Sequence, residues 1–211
     1  MSEAARGFIL RPSNGRPFHF DPGALCLEFL LLGGPGILAR FDVLHEPEDL
    51  VRWAAESRLP GGLDPAVTPE EVRDARVLRD AVYRLAAARA YGDEPPAGDI
   101  AVVNAVAEQA PPVPRLTAEG ARAWAPGVTG TQLLSAVARD AVDLFSGPYA
   151  DRVRECGTHN CYLLFVDTSR PGRRRWCSME RCGNRQKVRA HRARHADAAD
   201  AAGATKDADV T

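Results

Sequence analysis

Lysine is almost missing from this 211-residue chain, with two lysines against 25 arginines. That bias hints at a GC-rich bacterial genome. Long apolar runs are missing too: none approaches the ~20 residues that a membrane helix needs. The nearest, ALCLEFLLLGGPGILA, carries Glu28 and is broken by Gly33, Gly34, Pro35 and Gly36. The start, MSEAARGF, has neither the basic head nor the apolar middle of a signal peptide. A soluble cytoplasmic protein is the expectation, with no membrane partner. The glycines of GGPG lack the spacing and the lysine of a phosphate loop and read as a turn. The first 150 residues hold no dinucleotide fingerprint and no nucleophile–base signature, and no internal repeat is visible, so an enzyme is the least expected class. His19 and His45 are isolated and read as surface or core residues.

What is present is unevenly distributed. Hydrophobic residues make up 45% of the chain, enough for a core, and the length suits one domain plus a small module, or two small domains. The net charge of −1 hides a partition. Residues 1–150 carry −6, residues 151–195 carry +8, and residues 196–211 carry −3. Such asymmetry points to an anionic partner for the middle segment, or to docking of that segment on the acidic part of its own chain.

Residues 1–20 read as loose. ALCLEFLLL (24–32) suits a buried helix or strand, with Cys26 packed inside it as a small hydrophobe. Pro47 opens a helix through EDLVRWAAESRL, with Leu50, Trp53, Ala54 and Ser57 at helical spacing, stopped by Pro60, Gly61 and Gly62. In the next helix Thr68 caps, Pro69 takes the first position and Glu71 completes a capping box. Val72, Ala75, Leu78, Val82 and Leu85 form its buried stripe. Arg73, Arg76, Arg79, Arg84 and Arg89 lie mostly off the stripe and read as a solvated face. A third helix is predicted over 99–109 and a short hairpin over 114–124. Thr131 is expected to cap a fourth helix with Leu134, Val137, Ala141, Leu144 and Phe145 inward. The tail from about Ala196 reads as a fraying helix end and then acidic disorder.

The remaining four of the five cysteines are spaced Cys156-x4-Cys161, then Cys177-x4-Cys182. Thiols stay reduced in the cytosol, so clustered cysteines there point to metal. Four thiolates from two short loops can close a tetrahedron around zinc, with each Zn–S distance about 2.3 Å and no place left for water. The metal would then be structural. Two disulfides, or free buried thiols, are the competing readings, and His159 and His191 are substitute ligands. YLLFVDTS is strand-like, RPGR suits a turn and RRRWC suits a return strand, so a hairpin is expected to bring Cys161 to Cys177. SMERCGNRQKVRAHRARH then reads as a helix with Cys182 in its first turns. A hairpin and a helix around zinc make a treble-clef-like plan, with ribbon variants as the alternative.

Arg181, Arg185, Arg189 and Arg192 share one face of that helix, and Lys187, His191 and Arg194 form a second row. Met179 and Val188 are expected inward. Arg170, Arg173 and Arg174 crowd the predicted hairpin tip. Ionising four ligands around one zinc lowers the segment's +8 to +6, still ample for phosphates. Trp176 reads as a core residue, with base stacking as the alternative.

FVDTSRPGRRRWCSMERCGNRQKVRAHRAR closely resembles the CGNR zinc finger, named for the residues that here are Cys182, Gly183, Asn184 and Arg185. The likeness runs from Cys156 to about His195. That finger's usual partner is an N-terminal helical ABATE domain, in bacterial proteins described as stress-induced transcription regulators. GALCLEFL (23–30) and PPVPRLTAEGARAW are similar to parts of that domain. Leu31 and Leu32 stand near a place where the family often has Asn-Thr. The resemblance implies zinc ligation by Cys156, Cys161, Cys177 and Cys182, and DNA binding by the finger, with Asn184 and Arg185 either bracing the zinc loop or, for Arg185, touching phosphate.

The expected protein is therefore mainly α: a helical domain over 1–150, a small β-hairpin-plus-helix four-cysteine zinc finger over 151–195, and a disordered acidic tail over 196–211. Its expected role is DNA-binding transcriptional regulation, the helical domain sensing an unidentified effector or forming a homodimer. The nucleic-acid contacts would come from Arg170, Arg173, Arg174, Arg181, Arg185, Lys187, Arg189 and Arg192. An RNA-binding module and a protein-interaction adaptor, its finger docked on acidic surface, are the alternatives.

Overall fold

The computed structural model describes residues 7–12, 15–189 and 192. The expectations for residues 1–6, for His191 and Arg194, and for the tail over 196–211 lie outside the described residues. Helices dominate, accompanied by three two-stranded antiparallel sheets.

The longest helix, α3 (Pro69–Tyr91), organises the rest. Its start follows the sequence closely. The Thr68 hydroxyl accepts from the Glu71 backbone N–H at 3.2 Å, and the Glu71 carboxylate accepts from that of Thr68 at 2.9 Å. Gly92, at φ 76°, ends the helix in the left-handed region that glycine enters without strain. The stripe Val72, Ala75, Leu78, Val82 and Leu85 is buried as expected. Against it pack α1 (Leu25–Phe29), α2 (Pro47–Glu56), α4 (Ala97–Ala107) and α5 (Gly130–Ser146). Burying each valine or leucine of the stripe contributes about 1.5–3 kcal/mol.

ALCLEFLLL resolves into α1 and a 3₁₀ turn, Leu30–Leu32. Cys26 is fully buried there as a small apolar residue. α2 stops at Glu56, and Ser57, expected within it, is already extended at ψ 173°. The hairpin near 114–124 forms from β3 (Pro114–Leu116) and β4 (Arg122–Trp124).

Three expectations are overturned. Thr129, not Thr131, caps α5: its hydroxyl accepts from the Gln132 N–H at 3.3 Å. Thr131 donates its N–H (2.7 Å) and its hydroxyl (2.9 Å) to Glu71 instead, tying the starts of α3 and α5 together. Nor are the arginines of α3 uniformly solvated. Arg79 is 2% exposed, with Nη1 on Asp42 at 3.0 Å and on the Leu32 carbonyl at 3.2 Å, and Nε on Asp80 at 3.0 Å. Arg76 bonds the Leu44 carbonyl and Arg84 pairs with Asp99. The connecting segments bring carbonyls and carboxylates to that face, which helical spacing alone does not reveal. Finally, the start of the chain is not wholly loose. β1 (Phe8–Leu10) pairs with β2 (Phe18–Phe20), and Phe18 and Phe20 are buried.

The finger does not stand apart from the helices. β5 (Val153–Glu155) pairs antiparallel with β6 (Leu164–Val166), and both pack on α3, with Val153, Leu164 and Val166 joining the helical core. On the other edge of β6, the Val166 N–H donates to the Pro22 carbonyl at 2.8 Å.

Beside this seam lies Glu28, with no exposed surface. Its carboxylate accepts from Arg58 twice, from the backbone N–H at 2.8 Å and from Nε at 2.9 Å. Arg58 Nη2 reaches Asp21 at 2.7 Å. Burial pushes the Glu28 pKa up, against the pull of Arg58. Removing one partner of a buried pair strands the other charge and costs about 3–5 kcal/mol. Arg58→Met is accordingly expected to lose about that much at pH 7 in urea unfolding. Because the folded pKa of Glu28 lies above its unfolded value, protonation favours the folded state. Without Arg58 that pKa rises further, so the deficit of the variant relative to the wild type should shrink as pH falls from the variant's Glu28 pKa to the wild type's. A deficit that stays constant with pH would mean that Glu28 is not the stranded group.

Candidate metal centre and nucleic-acid interface

Four segments bring the cysteines together. Cys156 follows β5, Cys161 lies three residues before β6, Cys177 ends the loop after β6, and Cys182 sits in a π-helical turn, Met179–Gly183. Their sulfurs all lie within 4.8 Å of one another. Cys177 and Cys182 are 3.4 Å apart, while Cys161 is 3.8 Å from each of them. A tetrahedron with Zn–S distances of about 2.3 Å has S–S edges of about 3.8 Å. None of the cysteines is in a disulfide. The four residues fit one structural zinc with every coordination position filled by sulfur. His159 is exposed and lies outside the sulfur cluster.

The electrostatics agree with the geometry. Hydrogen bonds from the Cys161 and Cys177 thiols hold Cys156 far below the ordinary thiol range. The same sharing with Cys156 pushes Cys161 up to about 12 and Cys177 further up. Thiols packed this closely resist losing more than one proton among these three. A divalent cation at their centre removes the mutual repulsion and lets all four ligands ionise.

The loops are shaped by their own backbone bonds. Cys156 N–H donates to the Leu163 carbonyl at 3.0 Å, Cys161 N–H to that of Thr158 at 3.0 Å, and Gly157 N–H to that of Arg175 at 2.9 Å. Cys177 N–H points to the Cys156 sulfur at 3.4 Å. In the π-turn, Gly183 N–H reaches the Ser178 carbonyl at 3.0 Å, a wide turn that sets Cys182 toward the other sulfurs. A Cβ on Gly183 would meet Met179 Sδ at 2.7 Å and Trp176 Cδ1 at 3.3 Å, of which the exposed methionine end can move aside. Asn184 Nδ2 donates to the Glu180 carbonyl at 3.3 Å and braces the same turn.

The hairpin expected between the cysteine pairs does not form. β6 pairs with the segment before Cys156, and its second edge is taken by Pro22, which leaves RRRWC no ladder to join. Asp167 organises that stretch as a loop instead. Fully buried, it accepts from Ser169 N–H (2.9 Å), Ser169 Oγ (2.6 Å) and Arg174 N–H (2.8 Å). Burial alone would raise its pKa, but these bonds and Arg152 together hold it below the usual carboxylate value. Arg152 Nη1 closes the loop from below through the carbonyls of Asp167 and Ser169. Asp167 opens the DTSR stretch, and an aspartate two residues before a serine is a turn signal that could have found this role.

An apolar wall backs the sulfurs. Phe18, Phe20 and Phe165 are buried with Cys156, Cys177 and Cys182, and Leu10, Leu31, Leu163 and Trp176 pack against them. Trp176 is half-buried there, in line with its reading as a core residue. Met179 and Val188, expected inward, are 52% and 50% exposed. The N-terminal hairpin supplies the apolar surface that they were expected to provide.

Of the eight expected nucleic-acid contacts, Arg170, Arg173, Arg185, Lys187, Arg189 and Arg192 are exposed. None of the six forms an ion pair among the described residues. Residues 184–189 are helical, which carries Arg185 and Arg189 on one face. Arg174 differs from the expectation. It is half-buried, with its guanidinium 4.2 Å over the Phe165 ring, Nε on the Trp176 carbonyl at 3.0 Å and Nη2 on that of Cys177 at 2.6 Å. It holds the Cys177 loop rather than facing solvent. Arg181 is half-buried too, its guanidinium 4.9 Å over the Phe18 ring.

A cavity of about 430 Å³ opens beside the sulfurs. His19, Asp21 and Arg58 line it from the N-terminal part, and Thr168, Arg174 and Ser178 from the finger. No sequence motif announces it, because its walls come from four separated stretches.

Comparison with known families adds two matches. A family model described as "Putative stress-induced transcription regulator" (ABATE) matches residues 23–148. The CGNR zinc finger model matches residues 152–195. No curated protein matches the chain.

The purified chain is expected to carry one zinc, measured by elemental analysis, and to lose it in Cys177→Ser. Cys26→Ala should keep the metal, since Cys26 lies in the helical core away from the sulfurs. Zinc retained at full stoichiometry in Cys177→Ser would rule out the four-sulfur site.

Proposed function

We propose, for a chain that belongs to the ABATE family and carries a CGNR zinc finger after that domain, that the finger binds duplex DNA and the helical part reports a signal to it. The supporting observation is the exposure of the cationic side chains. Arg185, Arg189 and Arg192 are exposed rather than buried against the acidic first 150 residues. An adaptor docked on its own chain would spend these charges on carboxylates. Exposed guanidiniums along a helix suit phosphate oxygens, which give affinity and positioning without sequence choice. In this reading zinc is structural, catalysis is not part of the role, and the protein works in the cytoplasm where it meets DNA.

Duplex DNA is favoured over single-stranded RNA because Trp176, the aromatic best placed in sequence to stack on a base, packs against the sulfur cluster. Sensing is favoured over dimerisation for the helical part because the cavity lies where that part meets the finger. A small polar molecule in it would touch Arg58, tied to Glu28, and Arg174, tied to the Cys177 loop. No helix among the described residues is long and apolar enough to cross a membrane.

The test is salt-titrated binding of the zinc-loaded full chain to duplex DNA and to single-stranded RNA. The full chain is needed because the finger shares its apolar packing with β1, β2 and α3. Affinity for the duplex should fall steeply with salt, and the triple variant Arg185→Ala/Arg189→Ala/Arg192→Ala should flatten the log–log slope by about 2–3. Stronger binding to the RNA would favour the RNA-binding alternative. Absence of binding to either nucleic acid would leave the adaptor reading.

A further inference from the structure

The hairpin of β1 and β2 lies before both family matches, which begin at residue 23 and at residue 152. Nothing in those matches assigns it a role. Its inner face is clear: Phe18 and Phe20 enter the apolar wall behind the sulfurs, with Leu10 packed beside them. Its charge is less expected. Residues 7–20 contain Arg11 and Arg16 and no acidic residue, whereas residues 21–150 carry 11 arginines against 19 acidic residues. The hairpin thus has the sign of the finger it packs on, not of the domain that follows it in the chain.

Position follows from the register. Leu10 pairs with Phe18 at the end of the ladder where the strands turn. Arg11 comes directly after Leu10, and Arg16 stands two residues before Phe18, so both flank the turn. Both are exposed. The Phe18 ring at that same end carries the Arg181 guanidinium at 4.9 Å. Arg181 opens the basic series that continues one helical turn later at Arg185. Strand β2 and the π-turn that leads into the basic helix therefore meet through one aromatic–guanidinium contact.

We infer that Arg11 and Arg16, next to the paired residues Leu10 and Phe18, form a second arm of the nucleic-acid surface, placed against the phosphate backbone of duplex DNA beside the track of the terminal helix. The inference rests on the DNA-binding reading above and extends it to a segment that lies outside the finger in sequence. Cations next to strands that are paired and packed on the apolar wall lose less conformational freedom on binding than a free tail would. It also makes affinity depend on the folded N-terminal part as well as on the zinc.

The experiment compares three zinc-loaded full-length proteins on one mixed-sequence duplex across a salt series. Arg11→Ala/Arg16→Ala should flatten the log–log slope by about 1–2 relative to the wild type and weaken binding several-fold at low salt. Its zinc content and melting temperature should match the wild type, because neither side chain is buried. Arg115→Ala/Arg122→Ala removes the same charge from the exposed β3–β4 hairpin and should leave the slope unchanged. An unchanged slope in the first variant, or equal flattening in both, would overturn the arm while leaving DNA binding intact. A wild type that does not bind the duplex would overturn the DNA-binding reading itself and the arm with it.

Discussion

Four sulfurs within 4.8 Å of one another are the constraint that the finger's half of the structure serves. Thiolates at that spacing repel strongly, and Cys161 and Cys177 hold their protons beside Cys156. A divalent cation turns the same packing from a cost into a bond network, which makes metal affinity folding free energy for the loops that hold it. Each loop is then committed. The Cys156 loop is pinned to the Leu163 and Arg175 carbonyls, the Cys177 loop to Arg174, and Cys182 to a π-turn that closes on Ser178. Asp167, buried and bonded to Ser169 and Arg174, fixes the path between the two cysteine pairs.

A site of this size cannot shield itself. Its apolar wall is borrowed from a hairpin more than 130 residues earlier and from Leu31 beside α1, while the strands that precede and follow the first cysteine pair lean on α3. The two family segments consequently share packing, with Val153, Leu164 and Val166 buried among helix residues. The Glu28–Arg58–Asp21 group, Pro22 and Gly23 lie on one side of the seam, and Arg174 and the Cys177 loop lie on the other. The cavity between them is lined from both sides.

Legibility of the fold followed the range of the interactions involved. The capping box of Thr68 and Glu71, the stripe of α3, the 114–124 hairpin and the cysteine spacing are set by residues a few positions apart, and all were readable. The cap of α5 was misplaced by two residues because Thr131 had a distant partner, Glu71, that competes for its hydroxyl. The buried state of Arg79 depended on Asp42 and the Leu32 carbonyl, which arrive from other segments. The return strand after β6 failed for the same reason: Pro22 occupies the edge that it needed.

By itself the sequence determined the helical character of the first 150 residues, the four-cysteine ligand set and the basic character of the segment around it, because periodicity, spacing and charge are properties of neighbours. Only the tertiary structure decided which arginines remain available. Arg174 is consumed by the Cys177 loop and Arg181 is drawn half under the surface onto Phe18, while Arg185, Arg189 and Arg192 stay exposed. It also decided that the finger's wall comes from the N-terminal hairpin. Pattern along the chain records what each residue prefers, whereas burial depends on which distant segment arrives to cover it.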